Sequence, residues 1–233
     1  MTQDDDAHGC RLYLVSPPKF EVGAFTRSLE AALSGGDVGA FQLRLKDCDD
    51  AMITQAVRAL MPMCREAGVA FILNDRADLA QVLETDGVHL GQEDGTVADA
   101  RRRLGADAVI GVTCHASGHL AMEAGEAGAD YVAFGAFYPT TSKSMEKQLQ
   151  YGRPDAELLS WWATYTILPS VAIGGITPGN CGPLVTAGAD FVAAITSVWE
   201  CAEGPKAAVE AFNVAIREGM RGRMLVADDV ISA

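Results

Sequence analysis

Lysine is scarce in this chain: Lys19, Lys46, Lys143, Lys147 and Lys206 are all it has. Lysine and arginine together number 18 against 31 aspartates and glutamates, a formal net charge of −13. Such a balance argues against non-specific nucleic-acid binding and against docking on an anionic membrane. Apolar runs are short; none approaches the roughly 18–20 residues needed to span a bilayer. The first residues, MTQDDD, are acidic and carry no apolar signal core, so the expected location is cytoplasmic. Paired cysteines are also missing. Cys10, Cys48, Cys64, Cys114, Cys181 and Cys201 lie far apart with no Cys-x-x-Cys motif, the pattern of reduced packing thiols. His115 and His119 have the i, i+4 spacing of a zinc helix, but Ser117 and Gly118 between them read as a loop entering a helix. Two histidines also fall short of the ligands that a zinc site needs.

What is present points to a compact enzyme-sized fold. Hydrophobic residues make up 49% and charged residues 21%, which excludes an extended disordered chain. Short β-rich runs at 12–16, 40–45, 70–74, 87–90, 109–114, 131–135, 171–174 and 191–196 alternate with longer segments of helical apolar spacing. Eight strands, each followed by a helix, predict a single-domain (β/α)8 TIM barrel over 1–233, with 1–10 and 221–233 as flexible termini. The last residues fray or pack on a neighbouring subunit, which leaves a homo-oligomer open. An open doubly wound sheet is the alternative, but no Gly-x-Gly-x-x-Gly follows the first strand. Internal similarity favours the barrel: AGADYVA at 127–133 recurs as AGADFVA at 187–193, with looser echoes at 36–40 and 85–88. In each, a small residue ends a helix and an aspartate precedes a strand.

In a barrel the carboxyl ends of the strands form the working face, and the unusual polar residues collect there. Gln42, Arg44 and Lys46 sit at alternate positions, so they share one face while Leu43 and Leu45 take the other. Asn74 and Asp75 end the third strand, Asp94 follows the fourth, and Thr113 and His115 end the fifth. The sixth leads into Thr140, Thr141, Ser142 and Lys143; the seventh ends at Gly174 and Gly175, and the eighth at Ile195 and Thr196. Taken singly these clusters are ordinary turns and caps. Together they give two anion sites, one glycine- and hydroxyl-rich at strands 7–8 and one of cations beside carboxylates at strands 2–4. Bare Asp75 and Asp94 would repel a phosphate, whereas Mg²⁺ held between carboxylates and phosphate oxygens reconciles them. That combination suits a diphosphate, whose charge Mg²⁺, Arg44 and Lys143 would share.

The order of these clusters resembles the thiamine-phosphate synthase (thiamin phosphate pyrophosphorylase) family over about residues 11–215. The resemblance rests on QLRLK at 42–46, LNDR at 73–76, DGVHLGQ at 86–92, GVTCH at 111–115, DYVAFG at 130–135, PTTSK at 139–143 and AIGGIT at 172–177. It implies a TIM-barrel transferase joining 4-amino-2-methyl-5-hydroxymethylpyrimidine diphosphate to 4-methyl-5-hydroxyethylthiazole phosphate, with release of pyrophosphate. It also implies small-molecule partners, with neither nucleic acid nor membrane. By the same resemblance Gln42, Arg44, Lys46, Asn74, Thr113 and Lys143 would hold the pyrimidine diphosphate, with Arg44, Lys46, Thr113 and Lys143 closest to the chemistry. Asp75 and Asp94 would bind Mg²⁺, and Thr140, Thr141, Ser142, Gly175, Ile195 and Thr196 would hold the thiazole phosphate. The chain departs from the family pattern at Leu45, where Glu is usual, and its loop from His115 to His119 is one residue longer than in many relatives. Competing readings are a thiazole tautomerase-like isomerase using His115, a Schiff-base lyase using Lys46, and a non-catalytic thiazole-phosphate-binding paralogue.

Overall fold

The computed structural model describes residues 9–140 and 151–231, with side chains as far as residue 225. Eight parallel strands close on themselves in chain order, each hydrogen-bonded to its sequence neighbours and the last to the first. They are β1 (Arg11–Val15), β2 (Val38–Leu43), β3 (Ala70–Asn74), β4 (Gly87–Leu90), β5 (Val109–His115), β6 (Tyr131–Gly135), β7 (Ser170–Ile173) and β8 (Phe191–Ala194). The helices among the described residues are α1 (Val22–Leu33), α2 (Asp50–Glu66), α3 (Ala77–Leu83), α4 (Val97–Leu104), α5 (Gly118–Glu126), α6 (Ala156–Tyr165), α7 (Gly182–Thr186), α8 (Thr196–Trp199) and α9 (Pro205–Ile231). This is the (β/α)8 TIM barrel that the alternating pattern predicts.

Side-chain alternation divides the interior into two layers. Leu12, Leu14, Phe41, Leu43, Phe71 and Leu73 leave the barrel outward and pack beneath the helices. Tyr13, Val15, Ala40, Tyr131, Ala133, Val171 and Ala193 point inward and fill the barrel itself. The outer layer is the larger core and needs apolar helix faces to cover it. Several of those helices start on side-chain caps: Asp49 Oδ1 accepts from the Met52 N–H at 2.9 Å, and Ser117 and Asp155 serve α5 and α6 the same way.

The sequence repeat has a structural cause at the amino end of the strands. The Asp130 N–H donates to the Ile110 carbonyl at 2.8 Å, while Asp130 Oδ2 accepts the Ile110 N–H at 2.7 Å. Asp190 makes the same reciprocal pair with Ser170, and Asp86 with Phe71. Each aspartate thereby satisfies both backbone groups of a residue in the strand before it, where the ladder has run out. The echo at Asp37 does related work by another route, its carboxylate accepting from the Arg11 guanidinium at 2.6–3.1 Å.

β2 ends at Leu43, earlier than the periodicity predicts, so Arg44 and Lys46 lie beyond the ladder. The neighbouring chain runs into Pro17 and Pro18, which have no N–H to continue it. Other bonds keep this stretch extended: the Arg44 N–H donates to Ser16 Oγ at 2.8 Å and the Lys46 N–H to the Pro18 carbonyl at 3.0 Å. β8 likewise stops at Ala194, and Ile195 leads directly into α8.

Candidate active site

A cavity of about 920 Å³ opens at the carboxyl end of the strands. It brings together Gln42, Arg44, Lys46, Asn74, Asp75, Asp94, Thr113, Thr140, Gly175, Ile195 and Thr196, residues drawn from most of the barrel's circumference. Thr141, Ser142 and Lys143 lie outside the described residues. Alternation persists past the end of β2: Arg44 and Lys46 line the cavity, while Leu45 packs against the outer core.

One side of the cavity is built from charges. Gln42, only 4% exposed, donates from Nε2 to Asn74 Oδ1 at 2.8 Å, which fixes two amides side by side on β2 and β3. Asp75 follows at once, in the left-handed region at φ 65°, with its N–H donated to the His89 carbonyl at 2.8 Å. Aspartate tolerates this conformation better than most residues. Its carboxyl is pushed up to about 6, first by burial and then by the charge and hydrogen bond of Asp94, with Lys46 and Arg44 opposing. Burial lowers the pKa of the Arg44 guanidinium, against the attraction of Asp75. Two carboxylates and two cations therefore share one small volume. Arg76, the next residue along, turns away and pairs with Asp50 and Asp78 at 2.5 and 2.7 Å.

The other side carries glycines and hydroxyls, with Glu200 its one charged lining residue among the described residues. Gly174 and Gly175 both take positive φ, 105° and 64°. A Cβ at Gly174 would strike Ala136, and one at Gly175 would strike the Pro139 carbonyl. The sequence suggests these glycines serve ligand approach, but their first requirement is the close passage of the chain after β6. Asn180 then ties the loop, accepting the Thr177 N–H at 2.8 Å and donating to the Gly175 carbonyl at 3.0 Å. Ser197 Oγ donates to the Ile176 carbonyl at 2.7 Å and joins this loop to α8.

Several lining residues escape sequence reasoning. Tyr13, Tyr131 and His89 read as core because they alternate with apolar residues, yet they form the cavity floor. Gln92 Nε2 donates to the Thr113 carbonyl at 2.5 Å and holds the β4 and β5 ends together. Tyr151 stacks on His115 with ring centroids 3.8 Å apart and planes 4° from parallel. His119 instead lies on α5 beside Glu123, 3.4 Å away.

The family model described as thiamine monophosphate synthase matches residues 12–198, from the first strand to the short helix after the last. The chain belongs to the thiamine monophosphate synthase family. A thiamine-phosphate synthase from Rhodospirillum centenum is 54% identical over 208 residues, covering 89% of this chain and 98% of that protein. One from Hyphomonas neptunium is 53% identical, over 87% and 92% of the two chains. A solved structure, thiamine phosphate pyrophosphorylase from Pyrococcus furiosus, superposes with a TM-score of 0.78 at 29% identity, covering 91% of this chain and 98% of its own. The region shared with the thiamine monophosphate synthase family contains all the cavity-lining residues but Glu200, and ends before α9 begins.

Proposed function

We propose that the protein is a thiamine-phosphate synthase: it joins 4-amino-2-methyl-5-hydroxymethylpyrimidine diphosphate to 4-methyl-5-hydroxyethylthiazole phosphate and releases pyrophosphate. The observation that carries this reading is the division of a single cavity. Cations beside carboxylates occupy the β2–β4 side, and glycines and hydroxyls occupy the β7–β8 side. A diphosphate and a monophosphate ester fit those two chemistries in that order.

The donor set fits Mg²⁺. Among the described residues no group of three or more His, Cys, Asp or Glu is placed to hold a metal. Asp75 and Asp94 are a pair, which suits an ion that keeps waters and takes its remaining ligands from phosphate. Gly91 supports the fit, because a Cβ there would clash with Asp94 Oδ2 and displace that carboxylate. Mg²⁺ held there would supply charge neutralisation to the departing diphosphate.

The residues of the chain do the rest. Arg44, Lys46 and Lys143 spread the growing negative charge as the bond between the pyrimidine methylene and the diphosphate oxygen breaks. Gln42 and Asn74 hold this substrate against β2 and β3, and Thr113 offers its hydroxyl from β5. Gly175, Ile195 and Thr196, with Thr140, Thr141 and Ser142, hold the thiazole phosphate so that its ring nitrogen faces the methylene carbon and bonds to it. Positioning and charge stabilisation suffice for such a reaction, with no protein nucleophile. Among the described residues no helix is long and apolar enough to cross a membrane.

The isomerase reading has one supporting observation: His115 lines the cavity. It leaves Arg44, Lys46, Asp75 and Asp94 without a task. Incubation with both substrates, with and without Mg²⁺, decides the matter. Thiamine phosphate should form only with Mg²⁺, and its absence under saturating conditions would refute the proposal.

A further inference from the structure

Four side chains from four strands form one hydrogen-bond chain across the cavity floor, and the chemistry above uses only its last member. Tyr13 Oη lies 2.9 Å from Tyr131 Oη, Tyr131 Oη 2.8 Å from His89 Nδ1, and His89 Nε2 2.8 Å from Thr113 Oγ1. Tyr13, Tyr131 and His89 are buried, and all four line the cavity. The His89 ring also stacks on Tyr131, centroids 5.5 Å apart, which fixes its plane.

A proton count constrains this chain. With a neutral imidazole it holds three hydroxyl protons and one ring proton, while its three hydrogen bonds consume one each. The remaining proton must leave at one end. With the ring proton on Nε2, His89 donates to Thr113, Tyr131 donates to Nδ1, and Tyr13 donates to Tyr131. The Thr113 hydroxyl is then free to donate into the cavity. With the ring proton on Nδ1 every bond reverses. Thr113 donates to Nε2 and shows the cavity only lone pairs, and the spare proton sits on Tyr13.

We propose that His89 is a positioning residue whose tautomer decides whether Thr113 presents a donor or an acceptor, and that the Nε2–H form is the one to which an oxyanion binds. The ligand half of this inference rests on the diphosphate reading of the cavity. A phosphate oxygen only accepts, so Thr113 must donate to it, and the whole chain must follow. Tyr131 and Tyr13 support this by giving the Nδ1 lone pair a donor and that donor a donor of its own.

Nitrogen NMR of histidine-labelled full-length protein tests the proposal, because protonated and bare ring nitrogens resonate far apart. His89 is assigned from its ring-to-backbone correlations. In ligand-free Tyr13→Phe the Tyr131 proton loses its only acceptor within the chain besides Nδ1, so the His89 ring should be Nε2–H alone. In ligand-free Thr113→Val the Nε2 neighbour can no longer accept, so the ring should turn to Nδ1–H. In the unmodified protein saturated with magnesium pyrophosphate the ring should be Nε2–H. A Tyr13→Phe ring that stays Nδ1–H, a Thr113→Val ring that stays Nε2–H, or an imidazolium would overturn the relay. A pyrophosphate-bound ring in the Nδ1–H form would overturn the ligand half. The two variant arms need no ligand, so failure of pyrophosphate to bind by calorimetry would refute the diphosphate reading and leave the relay to be judged on those arms.

Discussion

At the amino end of the barrel each aspartate has its charge answered locally. Asp130 accepts from the Ile110 N–H and pairs with Arg101 at 2.6 Å; Asp190 accepts from the N–H and hydroxyl of Ser170 at 2.8 and 3.2 Å. At the carboxyl end Asp75 faces Asp94, and burial together with that neighbour pushes its carboxyl up to about 6. One residue type thus serves opposite ends. Where the partner is a backbone amide the aspartate closes the fold. Where it is another carboxylate, stability has been given up, which makes sense only if something else completes the pair.

The sharpest way to test that contrast is to remove a carboxylate from the upper end. Asp75→Asn, which keeps a residue that tolerates the left-handed backbone there, and Asp94→Ala should each lower turnover on the order of 100-fold or more while the melting temperature holds or rises. Steady-state rates and thermal melts read both. Full activity of either variant in chelator-treated buffer would mean that the pair holds no metal.

Arg44→Ala should come next in size. Charge-assisted contacts are worth roughly 1.5–3 kcal/mol, so the apparent affinity for the pyrimidine diphosphate should fall about 10- to 150-fold. Binding of the thiazole phosphate should change far less, since Arg44 stands on the β2 side of the cavity. Equal losses for the two substrates, measured by calorimetry, would erase the division between the two sides.

At the lower end the same operation should act on stability alone. Asp190→Ala leaves the Ser170 N–H and a fully buried hydroxyl without their acceptor, at a cost of about 1–3 kcal/mol. Denaturant titration should show that loss, with turnover per folded molecule changed by no more than about twofold. A large loss of turnover there would show that the two ends are coupled.

The repeat of glycine and aspartate before strands was legible in the sequence because the same residues recur at each turn, although the amide that each carboxylate holds lies 15 or 20 residues earlier. β3, β4 and β6 begin and end where alternation and turn residues place them, at 70–74, 87–90 and 131–135. β2 stops short because its partner runs into Pro17 and Pro18, a fact about a neighbouring strand rather than its own pattern. The cavity-facing Gln42, Arg44, Asn74 and Asp75 were legible for the opposite reason, since a polar residue closing an apolar run is costly unless it has work to do. The Tyr13–Tyr131–His89–Thr113 chain was not. Its members are spread over β1, β6, β4 and β5, and only closure of the barrel makes them neighbours. No spacing in one sequence encodes a contact between residues 118 positions apart.

Leu45 gives the smallest expected effect and the finest test of where the upper end stops. It lies between Arg44 and Lys46 in sequence but faces the other way, packed against the outer core beside Ile53 and Leu73. Glutamate is usual here in the thiamine-phosphate synthase family, so a reader of the motif alone would expect Leu45→Glu to improve catalysis. The geometry says otherwise: a carboxylate at this place enters a half-buried apolar contact near Asp47 and Asp75, while of the two cations along the same groove Arg76 is taken by Asp50 and Asp78 and Lys46 also lines the main cavity. Leu45→Glu should therefore lower stability by about 1–3 kcal/mol, the usual cost of burying a poorly paired polar group. Turnover of the folded enzyme should stay within about twofold of the parent. Thermal melts and steady-state rates decide it. A marked rise in turnover with unchanged melting would put position 45 among the working residues and end the separation between the faces of this strand.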